Sequence, residues 1–104
     1  MPTLATWAGR SRFSYDGSVK EGTVITYGRG YSFSMPAAAY VALLNHFDGQ
    51  VVNLGTSRDA PPSGSVGEWL QANVTKLAIA CYVGRILVAE GYAEHEGGAY
   101  IRFR

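Results

Sequence analysis

The spacing of apolar residues changes character partway along the chain. In its first third the period is two. Phe13 and Tyr15 alternate with Arg12 and Ser14, and Tyr31, Phe33 and Met35 alternate with Ser32 and Ser34. Between them, Thr23-Val24-Ile25-Thr26-Tyr27 is a run of β-branched and aromatic residues. Such runs suit pleated, half-buried strands. Asp16-Gly17 and Gly28-Arg29-Gly30 are turn signals between them. Three short strands in succession predict an antiparallel meander with one aromatic face, which the following helices must cover.

From Pro36 the period becomes helical. Tyr40, Leu43, Leu44 and Phe47 recur at i, i+3, i+4, i+7 and make one apolar stripe. Pro36 suits the first turn of this helix, where a missing N–H costs nothing, and Gly49 closes it. A short strand over residues 50–54 and a Pro- and Gly-rich loop over 55–64 follow. Ser65-Val66-Gly67-Glu68 reads as a capping box opening a second helix, with Val66, Trp69, Leu70 and Val74 on its buried side. Thr75 can cap a third helix from Lys76 to about Glu90. Gly91 ends it. Residues 92–95 and 99–103 then read as a hairpin turning at Glu96-Gly97-Gly98.

That order, and the run Val83-Gly84-Arg85-Ile86-Leu87-Val88-Ala89-Glu90-Gly91-Tyr92-Ala93-Glu94 in particular, resembles the end of a winged-helix recognition helix passing into its wing. The resemblance covers about residues 36–104. It implies an α+β fold: a winged-helix-like three-helix unit with a C-terminal β-hairpin wing, preceded by an N-terminal β-meander over residues 1–35, all in one domain. It also implies duplex DNA binding, with the third helix in the major groove and the wing on the backbone or minor groove. Thr75, Ala78, Tyr82, Arg85 and Ala89 share one helical stripe, which is the expected outward face. Arg85 could then read a guanine edge. Thr75, Lys76, Arg102 and Arg104 could reach phosphates. Arg12 and Arg29, with Arg10 and Lys20, make the meander the most basic third of the chain.

Composition qualifies this picture. Among 104 residues 47% are apolar, enough for a single core, and only 16% are charged. Net charge is +1, a small basic excess for a nucleic-acid binder. Glu94 and Glu96 place like charge against phosphate on the expected wing. The alternative is protein docking, by heterologous contact or by self-association through the third helix, with Tyr15, Tyr27, Tyr31 and Tyr100 adding an aromatic surface. A small charge-poor chain of this kind also suits a phage or prophage accessory protein that blocks a host defence complex by occupying its surface.

Candidate chemistry is sparse. Cys81 is the sole cysteine, so neither an intramolecular disulfide nor a cysteine-rich metal site can form. Its apolar setting predicts an inert thiol and a reducing, cytoplasmic home. His46 and His95 have no carboxylate at metal-ligand spacing. Gly28-Arg29-Gly30 lacks the third glycine and helix of a phosphate loop. No cofactor, catalytic group or membrane span is expected: the apolar stretch over residues 77–89 is too short to cross a bilayer and holds Arg85.

Overall fold

The computed structural model describes residues 3–9 and 11–104. It is an α+β structure with two sheets and three helices among those residues. Strands β1 (Thr3–Ala5), β2 (Arg12–Ser18), β3 (Gly22–Tyr27) and β4 (Tyr31–Pro36) form an antiparallel sheet in sequence order. Then come α1 (Ala37–His46), β5 (Val51–Asn53), α2 (Val66–Asn73), α3 (Ala80–Ala89), β6 (Ala93–Gly97) and β7 (Tyr100–Phe103). The last hairpin folds back on β5, so the second sheet runs β5-β7-β6, with Val52 opposite Ile101.

The meander departs from expectation in two places. It gains β1, whose three residues are too few to show alternation. Asp16-Gly17 is not a turn. Both residues lie inside β2, paired with Val24 and Thr23. Gly17 sits at φ +89°, where a Cβ would run into the Gly22 carbonyl oxygen, so the glycine lets two backbones meet within a pairing. The chain reverses one step later. There Glu21 N–H donates to Ser18 Oγ (3.1 Å) and Ser18 Oγ–H donates to Glu21 Oε1 (3.2 Å).

The helices follow their stripes. Tyr40, Leu43 and Phe47 of the α1 segment are buried, and Pro36 is its N-cap rather than its first residue. Ser65 caps α2 by accepting from Glu68 N–H (3.1 Å). Glu68 returns its carboxylate to Gly64 N–H (2.8 Å) instead of to Ser65, whose own N–H is already given to Pro62 O. The third helix begins four residues later than its pattern suggested. Thr75 Oγ1 accepts from Leu77 N–H (3.3 Å), which holds residues 75–79 as a turn. Ile79 is buried beneath that turn while Leu77 projects outward. Side chain-to-backbone bonding of this kind competes with a helical turn.

The buried residues form one cluster drawn from both sheets and all three helices. Three ties fix the meander to the rest. Glu90, at the C-terminal end of α3, accepts from Tyr15 Oη–H (2.8 Å) and from Val19 N–H (2.9 Å). Thr23 Oγ1 and Tyr40 Oη share a buried hydrogen bond of 2.8 Å. Trp7 Nε1–H donates to Gly98 O (2.9 Å) at the tip of the final hairpin. No helix among the described residues is long and apolar enough to cross a membrane.

Candidate interaction surface

α3 supplies most of the residues that sequence reasoning placed at a contact surface. Its core side is Ala80, Val83, Ile86 and Leu87, all buried. Gly84 is buried as well, and a Cβ there would press on Leu54 and on the Trp7 ring. The opposite side is not open. Tyr82 stacks on Tyr27 of β3 (4.9 Å between ring centres) and takes Phe13 of β2 edge-on (5.1 Å). Of the ten helix residues only Ala89 is exposed.

The expected outward stripe is therefore corrected. Tyr82 and Arg85 are half-buried, and Thr75 and Ala78 lie before the helix, also half-buried. Lys76 is exposed but sits in the turn, off the helix. The reason is the meander, whose aromatic face needed cover and found it partly on this side of α3. Arg85 Nε is shielded from solvent and has no hydrogen-bond partner among the described residues, a costly state for a guanidinium nitrogen.

The hairpin is balanced within itself. Arg102 Nε lies 3.0 Å from Glu96 Oε2, and Arg104 Nη2 lies 3.0 Å from Glu94 Oε1. The two carboxylates expected to repel phosphate instead occupy the two arginines expected to bind it. His95 stacks on Trp7 at 3.9 Å, and its Nε2–H donates to Gly98 O (2.8 Å). His46 is exposed, edge-on to Phe47. Arg12 and Arg29 are exposed and have no ion-pair partner among the described residues. Arg10 lies outside the described residues.

Between the meander and the hairpin tip lies a mostly apolar cleft of 520 Å³, lined by Trp7, Thr56, Cys81, Tyr82, Gly98 and Ala99. Burial pushes the Cys81 thiol above its ordinary pKa, which disfavours the thiolate that nucleophilic work requires. Tyr82 is raised too, first by burial and then by its neighbours Cys81 and Tyr27. Among the described residues no three His, Cys, Asp or Glu side chains converge as a metal site would need.

What sequence reasoning missed is the outer edge of the meander. β4 is the last strand of its sheet, and no other described segment hydrogen-bonds to its free side. Tyr31, at its start, is 66% exposed although it stacks on Tyr27. Ser32 and Ser34 are exposed, and Phe33 is half-buried. A sequence signal did exist: between Arg29 and Asp48 there is no Asp, Glu, Lys or Arg. No family model matches the chain, and neither a curated protein nor a solved structure does.

Proposed function

We propose that this chain is a non-catalytic protein-docking module built on a winged-helix-like unit, residues 37–103. The order helix, strand, helix, helix, hairpin, with the hairpin's second strand between its first and β5, supports the winged-helix reading. Protein docking is favoured over duplex DNA by one observation. The helix that would enter the major groove has a single exposed residue, Ala89, because the chain's own meander lies against it. A base-reading helix must present several side chains to the groove. The paired arginines of the hairpin add to this, since a phosphate contact there must first break an ion pair. The unpaired, uncharged edge of β4, with exposed Tyr31, is the docking surface. Strand addition at such an edge draws affinity from backbone hydrogen bonds and specificity from alternate side chains.

Two measurements test this. In a duplex-DNA titration at low and moderate salt, docking expects no low-salt binding that falls steeply with salt; steep salt-dependent binding lost in Arg85→Ala would overturn it. In affinity capture from the native host extract, a retained protein should disappear when Ser32→Lys and Ser34→Lys are combined. It should survive Arg102→Ala.

A further inference from the structure

Among the described residues the two sheets end on four edge strands, and three of them are guarded. β1 and β5 have three residues each, too few to template a partner. β6 carries Glu94, His95 and Glu96 and an irregular register against β7. Charge and bulges are the usual defences of a sheet edge. β4 has neither. It is six residues long, pairs with β3 without a register shift, and meets its first proline only at its last residue.

Its sequence is close to a palindrome. Reading outward from Phe33, Ser32 and Ser34 come first, then Tyr31 and Met35. An antiparallel pair of identical strands is related by a two-fold axis, so a palindromic strand meets its own complement. With the axis at Phe33, each Ser32 faces Ser34 of the second copy on the hydroxyl side. On the other side Phe33 faces Phe33, and Tyr31 faces Met35. Hydroxyl meets hydroxyl, ring meets ring at the axis, the Met35 opposite Tyr31 is already buried in its own core, and no charge confronts its like.

We infer that the docking partner of this edge is a second copy of the chain, joined through antiparallel β4–β4 pairing centred on Phe33 into one eight-stranded sheet. The inference rests on the docking reading and names its occupant. Two features of the molecule favour a second copy. The half-buried Phe33 gains a cross-strand aromatic neighbour, among the better sheet pairs. The helix that continues from β4 adds no charge to the seam, since the exposed residues of α1 are Ala38, Val41, Ala42, Asn45 and His46. A net charge of +1 sets little repulsion against assembly. One strand pairing is a small interface, so association in the micromolar range is expected.

Sedimentation velocity from low micromolar to near-millimolar concentration tests this. The wild type should move from 11.2 kDa toward twice that mass as concentration rises. Ser32→Lys with Ser34→Lys places lysine opposite lysine twice and should weaken association by about tenfold or more. Ser32→Glu with Ser34→Lys places acid opposite base twice and should restore it. All three substitutions lie on exposed positions of the strand, so the fold is preserved and circular dichroism serves as the control. A single 11.2 kDa species throughout overturns the inference, as does association that the double lysine variant leaves untouched. A wild type that associates while the acid–base variant does not places the axis elsewhere than Phe33 and overturns the pairing. A monomeric chain whose captured partner is still lost with the two lysines would sink self-pairing alone and leave docking intact. Capture that ignores the lysines would sink docking.

Discussion

The two sheets are finished in opposite ways. The β5-β7-β6 sheet closes its exposed surface with charge: Glu94 and Glu96 on β6 bind Arg104 and Arg102. The meander closes nothing at β4, where Tyr31-Ser32-Phe33-Ser34-Met35 ends in an unpaired row of backbone groups. Inside, the contrast reverses. The hairpin's ion pairs face solvent, whereas the carboxylate of Glu90, bound to Tyr15 and Val19 of the meander, is partly buried and joins distant parts of the chain. Polar groups thus perform different tasks in the two regions. On the hairpin they pair with one another at the surface, and under the meander they hold it in place.

That contrast predicts a graded set of outcomes. The largest effect should come from Tyr82→Ala, which removes the ring between Tyr27 and Phe13 and leaves a gap where the meander meets α3. Urea unfolding should show a loss of about 2–4 kcal/mol, near the range for large aromatic truncations. A loss below about 0.5 kcal/mol would show that the sheet does not depend on α3. Next comes Glu90→Ala, which strands the Tyr15 hydroxyl and the Val19 N–H. It should cost about 2 kcal/mol by the same measurement, because a buried donor left unpaired carries its full desolvation penalty.

Alkali should loosen the same tie. Tyr15 is held up to about 12, first by burial and then by hydrogen bonding to Glu90, and burial also raises Tyr40 to about 12. With the folded pKa above the unfolded value of 10.0, the unfolded chain loses its protons first. The stabilisation is complete below pH 10 and drains away between about pH 10 and pH 12. Tyr15→Phe should flatten that slope in a series of melts across this window; an unchanged slope would assign it to other groups. The smallest effect belongs to the hairpin. Glu94→Gln with Glu96→Gln should leave the unfolding midpoint unchanged, as exposed ion pairs contribute little. It should nevertheless raise retention on heparin by freeing Arg102 and Arg104. Unaltered retention would mean that the arginines face no anion even when released.

How much of this could be read from residues alone depended on the range of the interactions concerned. The Tyr40-Leu43-Leu44-Phe47 stripe, the Ser65 cap and the Gly-Gly turn at the hairpin are encoded within a few positions, and each was legible. The start of α3 was not. Thr75 reads equally as a helix cap or as a turn acceptor, and only Leu77 taking its oxygen decides between them. The outward stripe on α3 failed for a larger reason. Periodicity shows that a helix has two unlike faces, but it does not show what lies against each.

Local patterning by itself determined the strand-rich first third, the three helices, the terminal hairpin and the absence of charge across the β4–α1 segment. Those follow from side-chain spacing and backbone preference, which act within a turn or a pleat. Tertiary structure alone decided that the meander lies on α3, that Glu90 answers Tyr15 from 75 residues away, and that β4 is left as an edge. The physical reason is that burial is a property of surfaces brought together from remote segments. The same aromatic residue is a core contact or an exposed anchor according to which sheet arrives above it.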